Sequence, residues 1–352
     1  MKRRILVAPL NWGLGHATRC IPIIHALITN NFEPIIASDG AALNLLKKEF
    51  PNLLHLELPS YNITYSKKGA YFKLKLLKDS PKMLTTLKAE KKAVKKIIED
   101  YDISGIISDN RFGVSSKHIP SVFITHQLQV LSGNTTWFSS KMHQKIIKKF
   151  DECWVPDNVG EPNLSGKLGH IDIPKLKVKH IGPLSRLQKT QNSKTTYSAM
   201  VLLSGPEPQR TLLEEKLLES FKTYKGSVLF VRGVIEGEPL SKTQDHITVY
   251  NYMTSQMLEE AINSSAFIIS RSGYTTVMDL AQLGKKAFFI PTPGQFEQEY
   301  LAERLTKTGL VPSCKQSEFS IDKLKEIDNY KGLSGFDYEI NYKKLFNLFK
   351  TE

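Results

Sequence analysis

His16 is the residue from which chemistry is most readily argued. It lies in Asn11-Trp12-Gly13-Leu14-Gly15-His16-Ala17-Thr18-Arg19, after the apolar run Ile5–Ala8 and before the helical pattern Ile21, Ile24, Leu27, Ile28. Two glycines allow a tight turn and a close backbone approach, and a helix N-terminus favours an anion. The same helix end disfavours an imidazolium, so His16 is expected to be neutral and able to take a proton. A helix-capping histidine is the plain alternative. Two other apolar runs end in polar groups: Ile103–Ile107 leads into Ser108-Asp109-Asn110-Arg111, and Ser121–Ile124 into Thr125-His126-Gln127. These ends are expected to converge with His16 on one wall. Asp109 and His126 are the further catalytic candidates, and Gly13, Gly15, Arg19, Asn110 and Arg111 are the candidate acceptor or phosphate loop.

The second half repeats the arrangement with different residues. Val201–Leu203 leads to Ser204-Gly205, Leu229–Val231 to Arg232-Gly233, and Val249-Tyr250 to Asn251-Tyr252-Met253. Phe267–Ile269 ends in Ser270-Arg271-Ser272-Gly273-Tyr274-Thr275, with Asp279 about two turns into the helix that follows. A phosphate on the amides after Arg271 and a ribose diol on Asp279 would suit a nucleotide. Ala287–Ile290 opens into Pro291–Tyr300, which carries Gln295 and Gln298. No Walker lysine follows any of these glycines and no G-x-G-x-x-G occurs, which argues against an ATPase or a dehydrogenase.

The elements that must position these groups are legible from periodicity. Unbroken apolar runs of four to six residues alternate with amphipathic stretches, the pattern of parallel strands buried on both faces. Further runs are Pro34–Ala37, Leu53–Leu56, Glu152–Val155, Val178–Ile181 and Ile247–Tyr250. Ligands of open α/β sheets bind at the carboxyl ends of the strands, which is where every candidate above lies. Polar, aperiodic Ser185–Thr196 reads as a linker after Gly182-Pro183. The expectation is an N-terminal domain over 1–184, a linker over 185–196 and a C-terminal domain over 197–335. A last helix at about 336–352 is expected to pack back on the first domain. Both domains are expected to be α/β, doubly wound, Rossmann-like parallel sheets facing each other across a cleft.

Composition bounds the function. The 352 residues are 41% hydrophobic and 24% charged, an ordinary soluble balance. No apolar run reaches the ~18 residues needed to span a bilayer. The basic N-terminus lacks a signal-peptide core, and Cys20, Cys153 and Cys314 make no disulfide framework, so a cytoplasmic protein is expected. A formal net charge of +13 points to anionic partners. Eleven lysines against four acidic residues over 66–100, running from Lys67 to Lys96, supply over half of that excess. This stretch reads either as the solvated face of a helix covering the sheet or as a patch resting on an anionic membrane surface. No aromatic-interleaved motif accompanies it, so nucleic acid is not an expected partner. The one D-x-D, Asp100-Tyr101-Asp102, reads as a helix-to-strand connection.

Ser270–Leu280 followed by Pro291–Tyr300 resembles the donor-site signature of GT-B glycosyltransferases of family 28, the MurG type of N-acetylglucosaminyltransferase. The resemblance extends to Gly13-Leu-Gly-His16 and the Gly182 turn. It implies a GT-B fold and a UDP-sugar held mainly by the C-terminal domain. A hexosyl or N-acetylhexosaminyl group would be moved, with inversion and without metal or cofactor, to a glycan or lipid-linked acceptor. That chemistry would take place in the cytoplasm or on the inner face of the membrane. Asp279 matches the family's ribose-binding Glu, Gln298 a sugar-contacting Gln, and Met253 a position beside the base. Ser204-Gly205 takes the place of a diphosphate loop, and Glu299 departs from the family's second Gln. The N-terminal loop also resembles that of a UDP-sugar hydrolase of pseudaminic acid synthesis, in which a similarly placed His activates water. A non-catalytic sugar-nucleotide-binding subunit is the third reading.

Overall fold

Apolar strands that alternate with helices assemble here into two separate parallel sheets, each covered by its own helices. The structure is a computed structural model that describes residues 2–61, 72–190, 193–234, 237–336 and 339–350, with side chains described everywhere but 72–83. Contacts divide it into two units: the described residues up to 185 with 339–350, and the described residues of 186–336.

In chain order the first unit contains β1 (Arg4–Pro9), α1 (Gly15–Thr29), β2 (Glu33–Ser38), α2 (Gly40–Glu49), β3 (Leu54–Glu57) and α3 (Phe72–Tyr101). It continues through β4 (Ile103–Asp109), β5 (Ser121–Ile124), α4 (Thr136–Ile147), β6 (Glu152–Val155) and β7 (Val178–His180). The sheet order is β3-β2-β1-β4-β5-β6-β7, and its pairings are parallel. Ile5 to Ala8, Ile106, Ile107 and Val122 to Ile124 are fully buried, as strands covered on both faces require. In α3, Val94 and Ile97 pack on this sheet while Lys88, Lys91, Lys92, Lys95 and Lys96 face solvent. The described part of the lysine-rich stretch is therefore the outer face of a packed helix. Lys67 and Lys68, and the side chains of Lys73 to Lys82, lie outside the described residues.

The second unit contains β8 (Ala199–Leu202), α5 (Gln209–Phe221), β9 (Val228–Val231), β10 (Ser241–Gln244), β11 (Ile247–Tyr250) and α6 (Ser255–Asn263). After these come β12 (Phe267–Ser270), α7 (Tyr274–Gln282), β13 (Lys286–Phe289) and α8 (Phe296–Lys307). Its order is β10-β11-β9-β8-β12-β13, parallel except for β10 against β11. The hydrophobic pattern does not reveal β10. Its residues Ser-Lys-Thr-Gln are all exposed, and pairing with β11 through the Asp245-His246 turn makes it a strand. A polar edge of this kind also resists pairing with another chain.

The last described segment, α9 (Tyr342–Leu345) and the turn Phe346–Phe349, belongs to the first unit. Phe346 and Phe349 are buried against Phe32 and Trp154, and Arg3 donates to the Phe349 carbonyl at 2.8 Å. A Cβ on Gly105 would stand 2.5 Å from the Phe349 ring, so β4 needs glycine there. Replacing Phe349 by Ala empties this contact and is expected to destabilise the protein by ~3–5 kcal/mol. Urea unfolding followed by Trp154 fluorescence would measure the loss.

Candidate active site

β1 lies between β2 and β4, so successive connections leave it in opposite directions. That is a topological switch point, where the loops at the carboxyl ends part and a ligand can enter. Pro9 pairs with Asp109, and the Leu10 N–H donates to the Asp109 carbonyl at 2.9 Å. The Asn11–Leu14 turn then stands beside the end of β4, and Gly13, with φ of +71°, makes the reversal into α1. His16 is the second residue of that helix.

The switch point brings His16 and Asp109 together across 93 positions: His16 Nδ1 lies 2.7 Å from Asp109 Oδ1. Arg19, one turn along α1, donates through Nε and Nη2 to both oxygens of the same carboxylate. Its Nη2 is also 2.8 Å from His16 Nδ1, and its Nη1 is 3.3 Å from His126 Nδ1. Cys20 Sγ approaches Asp109 Oδ2 at 3.7 Å. Arg19, Asp109, Cys20 and His126 are all buried. Burial, and then the Arg19 guanidinium, hold the His16 imidazole below its ordinary 6.5, with Asp109 opposing them in part. Burial alone would raise the Asp109 carboxyl, but Arg19 and His16 outweigh it and hold the group at about 2. A carboxylate kept ionised can only accept, so we assign the imidazole proton to Nδ1, facing Asp109. The Nε2 lone pair is then the basic site. The sequence pattern suggested helix position as the reason for a neutral His16; burial and Arg19 are the causes in the folded chain.

Two arginines of the candidate loop are corrected by their partners. Arg19 is a clamp on Asp109 and not an open anion-binding residue. Arg111 is fully buried: it donates to Glu90 Oε1, Asp39 Oδ1 and the Pro59 carbonyl, each at 2.6 Å, and lies over the Tyr61 ring. Glu90 also accepts from Tyr61 Oη and the Gly113 N–H, while Asn11 Nδ2 donates to Asp39. The Arg111 hub thus braces the His16 loop from behind. Asn110, half-buried with φ of +57°, shapes the turn after β4. Glu90, Asp39, Asn11 and Cys20 are the supporting residues that sequence reasoning did not single out. Their only sequence signal is a carboxylate, amide or thiol within a helix or loop, which says nothing of its partner.

In the second unit the switch point lies between β8 and β12, whose ends meet at Leu202 and Ser270. Ser204 and Gly205 are exposed at the end of β8, and Gly205 has φ of +105° with nothing near its missing Cβ. Gly273 caps α7 and likewise faces open space. Both turns can receive a ligand's phosphates without a side chain intervening. Thr275 and Asp279 are half-buried on α7, Gln295 caps α8, and Met253 precedes α6. Arg232, at the end of β9, sits 2.5 Å from Glu214.

The side chains of Arg271 and Ser272 are braces, while the amides after Arg271 stay at the open turn. The buried Arg271 guanidinium donates to the carbonyls of Gln209, Ile290 and Pro291 and to Gln316 Oε1, at 2.8–3.1 Å. It thereby ties three strand-end loops together. Burial lowers its pKa to about 10, which leaves it charged at neutral pH. Ser272 Oγ donates to the Gln298 carbonyl at 2.7 Å, and Gln298 Oε1 accepts from the Thr292 N–H at 2.8 Å. Glu299 Oε1 accepts from the Gly294 N–H at 2.9 Å, so the Pro291–Gln295 loop is held from two sides. Asp100 and Asp102 are exposed at the opposite, amino-terminal edge of β4. Among the described residues no group of three or more His, Cys, Asp or Glu could hold a metal.

Residues 215–328 match the glycosyltransferase family 28 C-terminal domain. The solved spinosyn rhamnosyltransferase SpnG superposes over 99% of this chain and 95% of its own, with a TM-score of 0.64 at 12% identity. This chain is a glycosyltransferase of GT-B architecture that carries a family 28-like C-terminal domain. An uncharacterized glycosyltransferase of Methanopyrus kandleri is 21% identical over 89% of this chain and 90% of its own. A second relative, from Buchnera aphidicola, is named as a UDP-N-acetylglucosamine–N-acetylmuramyl-(pentapeptide) pyrophosphoryl-undecaprenol N-acetylglucosamine transferase. It is 26% identical over 65% of this chain, and the match spans 60% of its own length.

The Arg111 hub of the glycosyltransferase generates a stability test. Replacing Glu90 by Leu leaves Arg111 buried with one carboxylate fewer and strips Tyr61 and Gly113 of an acceptor. The expected cost is ~3–5 kcal/mol, as for other broken buried pairs, read as a lower urea midpoint.

Proposed function

We propose that the glycosyltransferase moves a hexosyl or N-acetylhexosaminyl group from a UDP-sugar to an acceptor hydroxyl, with inversion at the anomeric carbon. The observation that carries this reading is His16: an imidazole held neutral, with Nδ1 on an ionised Asp109 and Nε2 left basic, at the carboxyl end of a parallel sheet. As the acceptor oxygen forms its bond to the anomeric carbon, its proton passes to Nε2. The bond from that carbon to the diphosphate breaks on the opposite face, and the electron pair leaves with UDP. The Ser204-Gly205 turn and the start of α7 suit the departing diphosphate, and Asp279 suits the ribose. The choice of UDP is supported by the Buchnera relative's name, as is an acceptor of the glycan or lipid-linked class. Nothing in this scheme requires a metal or a cofactor. The anionic-surface reading of Lys67 to Lys96 fits a lipid-linked acceptor, with the enzyme working at the inner face of a membrane.

His16→Ala is expected to lower kcat by ~10²–10⁴-fold with UDP affinity unchanged, as measured by steady-state kinetics and calorimetry. Turnover close to wild type would remove His16 as the base. Free sugar released at an equal rate without acceptor would replace transfer by hydrolysis. Because burial and Arg19 lower the His16 pKa, its basic form persists below the ordinary 6.5. The kcat profile should therefore be flat through neutrality. It should fall only below pH 6.5, by up to tenfold per unit, as the imidazole protonates. Asp279→Ala is expected to weaken UDP binding by ~1.5–3 kcal/mol, the range for a hydrogen bond to a charged group.

A further inference from the structure

A pocket of about 440 Å³ opens in the first unit between α4, Gln129 and the segment 171–174, and neither the fold nor the proposed reaction uses it. Small-molecule sites occupy about 300–1,000 Å³, so the space suits a ligand of that class. Trp137 lines it with 73% of its surface exposed. Gln129, Lys141, Lys148 and Asp172 line it as well. Their side chains, like the Trp137 indole N–H, have no hydrogen-bond or ion-pair partner among the described residues. The frame around these unpaired groups is fixed. Ser140 Oγ accepts from the Val130 N–H at 3.0 Å, and Gln144 Nε2 donates to the Leu128 carbonyl at 3.1 Å. The Gln129 N–H donates to the Leu168 carbonyl at 2.9 Å, and Ile173 is buried under the third wall. A ligand therefore meets a preformed site and spends little on ordering it.

We propose that this pocket binds a saccharide that bears a carboxylate. A pyranose ring offers an apolar C–H face and a rim of hydroxyls. The face suits the Trp137 indole, a large apolar surface with one polar tip. Hydroxyls both donate and accept: the Gln129 amide answers them in both senses, and the Asp172 carboxylate accepts. Two ammonium groups against one carboxylate leave the lining positive, and an acid group on the sugar balances it. Inorganic phosphate would meet the lysines and leave the indole and the amide unused. A neutral sugar would leave one ammonium unanswered. Gln129 lies three residues past His126, at most about 10 Å along the chain, and His126 and His16 share the Arg19 guanidinium. On the transfer reading proposed above, on which this placement rests, the pocket holds a unit of a glycan acceptor other than the one whose hydroxyl reacts.

The test is titration of the full chain, without donor, by calorimetry and tryptophan emission. The probes are a panel of hexuronic acid oligosaccharides, the same compounds with their carboxyl groups reduced, and inorganic phosphate. An acidic member is expected to bind with a change in emission, its reduced counterpart about tenfold or more weakly, and phosphate with no such change. Trp137→Phe should keep the binding and lose the emission change, whereas Trp137→Ser should raise Kd about tenfold or more. Lys141→Glu with Lys148→Glu should do the same for the acidic compound and not for the reduced one. Lys145→Glu with Lys149→Glu, on α4 but outside the pocket lining, should stay within about twofold of wild type. An unchanged circular dichroism spectrum and melting temperature show that each variant is folded. No binding by any acidic member would overturn the proposal, as would wild-type affinity in both Trp137→Ser and the Lys141 and Lys148 pair. An equal loss in the Lys145 and Lys149 pair, or the same emission change from phosphate, would also overturn it. No donor is present, so the result is read apart from the UDP titration that tests the transfer reading.

Discussion

The buried pairing of Arg19 with Asp109 is the interaction on which the arrangement around His16 depends. A carboxylate at the end of a central strand is costly to bury alone, and a guanidinium one helical turn from His16 neutralises it with two donors. The pair has opposite effects on its neighbours. It keeps Asp109 ionised, so that His16 has an acceptor for Nδ1–H, and it adds to burial in keeping His16 uncharged. One ion pair thus sets both the orientation and the protonation of the His16 imidazole. His126, on the far side of the guanidinium, shares the same anchor.

The second unit uses its buried cation differently. Arg271 pairs with no carboxylate among the described residues; it gathers three backbone carbonyls and a side-chain amide from loops that would otherwise part at the switch point. Those loops can then leave Gly205 and Gly273 open, because rigidity comes from beneath the surface and not from side chains above it. Arg111 has the equivalent place in the first unit, behind the His16 turn, and there two carboxylates balance it. Each site is a backbone turn of low bulk resting on a buried guanidinium. The floor in each unit is polar and held by several hydrogen bonds at once, which resists movement of the turn above it.

The excess positive charge is divided between helices with different tasks. On α3 the described lysines are the hydrated side of a helix whose other side, through Val94, Ile97 and Glu90, belongs to the core and the Arg111 hub. On α4 the lysines run together with exposed aromatic surface. Charge density alone does not separate these cases; the difference lies in which apolar residues the fold has already used.

Two parallel sheets, the strand ends that carry His16, Asp109 and His126, and the loops at Ser204 and Gly273 were all legible from the sequence. Each follows from local apolar periodicity combined with the rule that ligands sit at the carboxyl ends of strands. The exposed strand β10 was not legible, because a polar edge strand is defined by its pairing and has no apolar run of its own. The roles of Arg19, Arg111 and Arg271 were not legible either: a sequence shows an arginine near a glycine turn equally well whether it faces a phosphate or a carboxylate. Asp109 lies 90 residues from Arg19, and Gln316 lies 45 from Arg271. Only the folded chain decides which charges meet, because neutralisation depends on distance and on water being excluded. Both arise when the sheets close, and no window of sequence contains them.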